Sequence, residues 1–359
     1  MSSALFYLSI LVISLAVLII VHECGHFLVA KYLGVRVLRF SVGIGPVVYS
    51  RRVGETEYAL SAIPFGGYVK MLGEEDGEEF EPADSGRAFS ARPPGQRMLI
   101  VAAGPLFNFI FAVVAYVFLH LFYGVAMPSD LPRVATVTGG MPAAEAGLQA
   151  GDMITAVDGR PVATWDELAQ VIRESDGHTL AVTVDREGAQ QVFDVTPERR
   201  PSKDLFGEVT GEMFLIGVVR DTDLRPVAPL RAVWLGFERA GTGALLVFEG
   251  ISRIIAGRIS PRELGGPIAI ARTAGEQARL GLGPFLNALG FLSVNLAVLN
   301  VLPIPVLDGG HLFFFLIEIL RRKPVRQRHR EIAQQMGLLI LVTLMIFVIY
   351  NDIHRLLQG

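Results

Sequence analysis

The chain has 359 residues, 51% of them hydrophobic and 19% charged, with a formal net charge of −3. With a mean hydropathy of +0.46, this composition points to a polytopic α-helical membrane protein that carries some soluble mass. The charge offers no electrostatic footprint for nucleic acid, and the single cysteine, Cys24, excludes an intramolecular disulfide.

Residues 1–31 form the first expected span. Ala4 to Val21 is a charge-free run long enough to cross a bilayer. No Lys or Arg precedes it and no small-x-small site follows, so it reads as a retained span rather than a cleaved signal peptide. At its end stands His22-Glu23-x-x-His26. Histidines four apart on a helix share a face and can ligate one metal ion, and Glu23 between them is placed to act as base toward a water at that metal. Ionisable groups in such a run are costly and mark a functional site by default. Cys24, two residues from His22, points off that face and reads as a small apolar residue.

Residues 32–97 are expected to be a cytoplasmic loop holding a membrane-associated β-sheet. Arg36–Val42 and Glu57–Ile63 alternate like strands, Gly66-Gly67 and Gly73 suggest turns, and Glu74–Glu81 reads as a solvated acidic loop. The sheet is either a plain hairpin or one with an unpaired edge that accepts an extended peptide. The second span covers 98–127. In it Gly104 and Asn108 are four apart, which suits tight helix packing, and Asn108 is also a candidate to reach the site and touch substrate.

Residues 128–200 read as a soluble α+β domain, with Trp165–Arg173 its amphipathic helix. The run Ala146-Gly147-Leu148-x-x-Gly151-Asp152 resembles bacterial PDZ domains, which implies either a groove for an extended peptide or a spacer. Residues 201–279 are expected to be a linker with amphipathic surface helices. Trp234–Ile255 is apolar, but Glu238, Arg239, Glu249 and Arg253 argue against a span.

The third membrane segment, 280–320, must break at Pro303 and Pro305. Broken helices at membrane depth line cavities or are buried in protein. Asp308 is expected on that unwound backbone. Catalytic zinc commonly takes three protein ligands, and the downstream positions other HExxH enzymes use hold Val29 and Tyr32. Asp308 is the leading third ligand, and His311 is a rival. A basic turn at 321–331 precedes the fourth span, 332–359. The cationic loops belong in the cytoplasm. Both termini and the PDZ-like domain then lie outside, and the metal motif lies near the cytoplasmic face.

His22-Glu23-x-x-His26, Asn300-x-x-Pro303-x-Pro305-x-Leu307-Asp308-Gly309 and the inserted domain together resemble the site-2 protease family of intramembrane zinc metalloproteases. The runs Gly66–Met71, Ala103–Phe109 and Gly265–Ile268 extend the resemblance over nearly the whole chain. It implies Zn2+ on His22, His26 and Asp308, with Glu23 as base. It implies that Asn300 contacts the substrate backbone or stabilises the transition state, and that Gly66, Gly67 and Tyr68 belong to a sheet presenting substrate. The implied location is a bacterial inner membrane. The implied substrates are single-span membrane proteins, such as anti-sigma factors or remnant signal peptides. Bacterial members often carry two tandem PDZ domains, whereas this chain shows one. Two other functions compete: a non-proteolytic membrane scaffold, which has no need of Glu23, and a metal transporter, which would spread ionisable groups along a path.

Overall fold

The computed structural model describes residues 3–74, 81–204, 208–261 and 265–358. The expected acidic loop Glu74–Glu81 therefore lies almost wholly outside the described residues. The chain divides into two compact units, Met1–Leu121 with Ala228–Gly359, and the inserted Phe122–Val227.

The first unit opens with α1 (Ser3–Tyr32), closed by Gly34 at φ +74°. Next come β1 (Val37–Val53) and β2 (Thr56–Met71), which pair antiparallel. Glycines at 43 and 45, both with positive φ, bend β1. Arg39–Val42 are flanked on one side by Glu57–Leu60 and on the other by Gly67–Lys70, while Tyr49–Val53 cover the far side of 56–60. Gly67–Met71 is thus an outer edge of the sheet. Gly66 and Gly67, expected in a turn, instead lie inside β2. At Gly67 the need is for room, because a Cβ would come within 2.9 Å of Ile19 Cγ2 and 3.0 Å of Glu23 Cγ. α2 (Pro94–Tyr123) starts on a proline, where the missing N–H costs nothing.

The inserted unit contains β3 (Val125–Pro128), β4 (Val134–Val137), α3 (Pro142–Ala146), β5 (Met153–Val157), β6 (Arg160–Pro161), α4 (Trp165–Arg173), β7 (Leu180–Arg186), β8 (Ala189–Val195), β9 (Glu198–Lys203), β10 (Val209–Leu215), β11 (Val218–Arg220) and β12 (Thr222–Arg225). A sheet of order β6-β5-β7-β8 packs its alternating apolar face, Ile154, Val182 and Val184, against Leu168 of α4. α4 opens with a capping box between Thr164 and Glu167. The expected boundary at residue 200 is corrected. β11 pairs with β4, β12 pairs with β3, and Ile216 is buried in the same core. Those closing strands are short and their partners lie far back in the chain, so local alternation does not announce them.

The chain then returns to the first unit with α5 (Pro229–Ile255), α6 (Pro267–Leu280), α7 (Leu282–Val301), α8 (Asp308–Arg321) and α9 (Gln327–Gln358). Among the described residues, four helices are long and apolar enough to cross a membrane: Leu5–Tyr32 within α1, α2, α7, and Gln327–Leu357 within α9. The linker expected at 201–279 is also corrected. Residues up to 227 close the inserted unit, and α5 packs into the helices through Ala232, Gly236, Ala240 and Gly243. Small residues at helical spacing permit close backbone approach. A Cβ at Gly236 would sit 2.6 Å from Val117 Cγ2 and 3.0 Å from the Val113 carbonyl. α6 lies on α1, with Gly275 against the Tyr7 ring.

Asp352, buried near the end of α9, accepts hydrogen bonds from the backbone N–H groups of Gly266, Ile268 and Ala269 at 2.9–3.2 Å. The carboxylate satisfies the orphan donors of the α6 N-terminus and ties α9 to α6. Asp352→Ala is expected to destabilise the protein by about 1–3 kcal/mol, because those donors are left unpaired. A thermal midpoint in detergent equal to wild type would refute this.

In the inserted unit, Arg186 donates to both oxygens of buried Asp152 at 2.7 Å, and Gln149 N–H adds a third hydrogen bond. The Arg186 guanidinium holds the Asp152 carboxyl below the usual carboxylate range. The folded-state value is depressed, so its stabilisation is full above the unfolded value of about 3.9 and is lost as pH falls through the folded value. Amide protection factors in the unit, corrected for the pH dependence of intrinsic exchange, are expected to fall below about pH 4. Asp152→Asn is expected to lose about 2 kcal/mol of protection already at neutral pH. Wild-type protection in that variant would show the pair to be neutral for stability.

Candidate metal centre

Histidines 22 and 26 lie one helical turn apart on α1, and their Nε2 atoms stand 3.2 Å from each other. Asp308 meets them from α8, with Oδ2 at 3.0 Å from His22 Nε2 and Oδ1 at 3.6 Å from His26 Nε2. The three donor atoms all lie within 4.8 Å of one another. A tetrahedral ion with ligands at about 2.0–2.1 Å separates its ligand atoms by roughly 3.3–3.4 Å, which matches these edges. Asp308 Oδ2 is buried and forms no hydrogen bond of acceptable geometry, although His22 is within ion-pair distance. A buried carboxylate oxygen thus points its lone pairs toward the two imidazoles. Two imidazoles and a carboxylate suit zinc, and three protein ligands leave a position open for a reacting group.

Asp308 is brought there by the break between α7 and α8. Pro303 and Pro305 end the helix, and Gly309 and Gly310 let α8 restart against the broken segment. A Cβ at Gly309 would lie 2.1 Å from the Leu302 carbonyl, and at Gly310 2.4 Å from that of Ile304. Asp308 is the first residue of α8, not part of the unwound backbone, because extended Leu307 already caps the new helix.

The histidines are held from behind by α2. His26 Nδ1 donates to the Ile100 carbonyl at 2.9 Å, which leaves Nε2 as the free donor atom. Gly25 abuts Ala103, and Gly104 lies under both rings. A Cβ at Gly104 would stand 2.4 Å from His26 Nε2 and 2.8 Å from His22 Cε1. Asn108, one turn on, is fully buried with its amide nitrogen 3.2 Å from His22 Nδ1.

A cavity of about 230 Å³ lies against these groups. Glu23 borders it between the histidines, with the Val69 backbone beside its carboxylate. Gly67, Tyr68 and Val69 supply the sheet wall, and the Tyr68 hydroxyl accepts from Arg39 at 3.2 Å. His311 borders the cavity but does not join the donor cluster found among the described residues. Gly66, Asn108 and Asn300 do not line it. Asn300 sits near the end of α7, and Asn108 stands behind His22. Two groups here had no signal in the sequence. The Ile100 carbonyl is backbone, and Arg330, a further wall residue, sits in a run that sequence reads only as a topology signal.

Gly104→Ala is expected to lower metal affinity at least tenfold while α2 stays helical, because the added methyl occupies the space of the His26 ring edge. Elemental analysis after a chelator challenge measures it. Full metal retention would mean that the rings shift freely and Gly104 is only a packing residue.

The description Peptidase family M50 matches residues 10–344. A putative zinc metalloprotease of Agrobacterium fabrum is 35% identical over 98% of this chain and 96% of its own length. The regulator of sigma-E protease RseP of Escherichia coli is 31% identical over 99% of this chain and 100% of its own length. Among solved structures, the PDZ domain of an SdrC-like protein from Listeria monocytogenes covers 27% of this chain and 93% of its own, at 26% identity and a TM-score of 0.21. With a family match that takes in both the histidine pair and Asp308, and relatives aligned from end to end, this chain belongs to peptidase family M50 and is a zinc metalloprotease with membrane-spanning helices.

Proposed function

We propose that the chain cleaves single-span membrane proteins inside the bilayer, near its cytoplasmic face, as a step of regulated intramembrane proteolysis. His22, His26 and Asp308 hold the zinc, and Glu23 is the general base. The observation that carries this reading is the convergence of three donor atoms, from two buried histidines and a half-buried aspartate, beside a glutamate at the end of a membrane-length helix. Zinc, when bound, supplies Lewis acidity toward the scissile carbonyl.

The chain's own groups do the rest. Glu23 accepts a proton from the attacking water and returns it to the departing amide nitrogen. Its carboxylate faces the cavity between the ligands, so the proton has a short path. The substrate must first unwind, because helical carbonyls are already hydrogen-bonded and shielded. The edge Gly67–Met71 offers new partners: an unwound segment adds to it as a strand and satisfies its backbone at membrane depth. Tyr68 and Gly67 touch that segment. Asn300 contacts it away from the scissile bond, since it stands outside the cavity wall.

The positive-inside pattern of 36–97 and 321–330 supports a topology with those loops in the cytoplasm and the inserted unit outside. If the inserted unit takes part, it acts on access rather than on the scissile bond, excluding full-length proteins by bulk or tethering trimmed ones. An apolar groove between α4 and 213–218, of about 190 Å³, is where a peptide end would sit.

Glu23→Gln is expected to keep zinc and lose cleavage by at least about 10²-fold, because the amide cannot take the water's proton. Zinc content and turnover of a membrane-embedded substrate are measured on the same purified sample. Near wild-type turnover would overturn the base assignment, and loss of zinc would make Glu23 a structural member of the site.

A further inference from the structure

Asn108 was expected to touch substrate, and it does not reach the cavity. It is 0% exposed. Its amide nitrogen lies 3.2 Å from His22 Nδ1, and its own carbonyl accepts from Ser293 Oγ of α7 at 2.7 Å. Its side-chain oxygen is buried with no hydrogen-bond partner. The residue is clamped between α7 and the back of a ligand ring, with one polar atom unspent.

We infer that Asn108 is a positioning residue for the metal centre: its amide fixes the orientation of the His22 ring and decides which ring nitrogen carries the proton. This rests on the ligand assignment proposed above. A ligating Nε2 needs its lone pair, so the proton must sit on Nδ1, and a buried Nδ1–H needs an acceptor. For His26 that acceptor is the Ile100 carbonyl at 2.9 Å. For His22 no carbonyl is paired with Nδ1, and Asn108 is its partner.

With Nδ2 facing the ring, the ring proton sits on Nε2, opposite Asp308 Oδ2 at 3.0 Å. An amide's two ends are equal in shape and are assigned only through their partners. Rotation by half a turn brings the unspent oxygen onto Nδ1–H and frees Nε2 for the metal. An amide can thus meet either tautomer, which a backbone carbonyl cannot. It also adds no charge of its own to a membrane segment that already carries Glu23 and Asp308 beside the ring. Gly104 one turn earlier leaves the rings the space to take up that position.

The test uses the purified full-length chain and reads the zinc dissociation constant by chelator competition, alongside the thermal midpoint and KM. Asn108→Leu keeps the size and removes both hydrogen-bonding ends. It is expected to raise the dissociation constant by about 10–100-fold. Asn108→Asp keeps an acceptor and is expected to restore binding to within about threefold of wild type, a rescue that packing alone would not give. If the Leu variant fails to fold, Asn108→Ala carries the same expectation. Unchanged zinc affinity in the Leu or Ala variant overturns the inference, whether KM rises, as a substrate contact predicts, or only the thermal midpoint falls, as packing predicts. Equal loss of zinc in the Leu and Asp variants also overturns it. His26→Ala separates this from the underlying assignment. If that variant keeps its zinc, the ligand set is wrong. If it loses zinc while Asn108→Leu keeps it, only the role of Asn108 fails.

Discussion

Everything at the metal centre depends on the close contact of α1 with α2, where each helix sets a glycine against the other. Gly25 meets the Ala103 carbonyl, and Gly104 meets the two imidazoles. In lipid the apolar tails do not drive helices together, so close backbone approach and buried polar bonds must do so. Here the polar bonds are those of the ligands themselves, with His26 on the Ile100 carbonyl and His22 on Asn108. The packing surface of the two spans and the outer hydrogen-bond shell of the metal centre are one structure. This explains why two helices so rich in apolar residues each carry a glycine at the contact.

A second constraint joins the site to the sheet. The edge segment lies on the cavity side because Gly67 lets its backbone pass beside Glu23, where a Cβ would collide. Glu23, the His22–His26–Asp308 cluster and an open strand edge therefore border the same 230 Å³ cavity. A peptide added to that edge is extended, which is the conformation a scissile bond needs and the one a membrane helix lacks.

The third contribution comes from a helix that fails on purpose. Prolines at 303 and 305 stop α7, and two glycines seat the restarted α8 against the broken turn. The carboxylate at its first position gains freedom to face the histidines, while the apolar remainder of α8 packs through Phe315 onto the same core as Phe89 and Ile100. α5 and α6, which carry too much charge to be read as spans, complete the scaffold through small-residue contacts with α2 and α1.

The chemistry was legible in the sequence wherever it is local. The His22–His26 spacing, the acid between them, the prolines before Asp308 and the four apolar runs are short-range patterns governed by helix period and bilayer thickness. Long-range pairing was not. The inserted unit ends at 227 rather than 200, because β11 and β12 find partners some ninety residues back, and no alternation encodes a partner. The choice of Asp308 over His311 for the donor cluster followed from where the restarted helix points. The place of Asn108 behind His22, and of Asn300 outside the cavity wall, was likewise decided by packing. Sequence determined which groups enter the membrane, since each costs free energy there. Only tertiary structure decided which of them face one another, since an amide four residues from a glycine looks the same whether it meets a substrate or an imidazole.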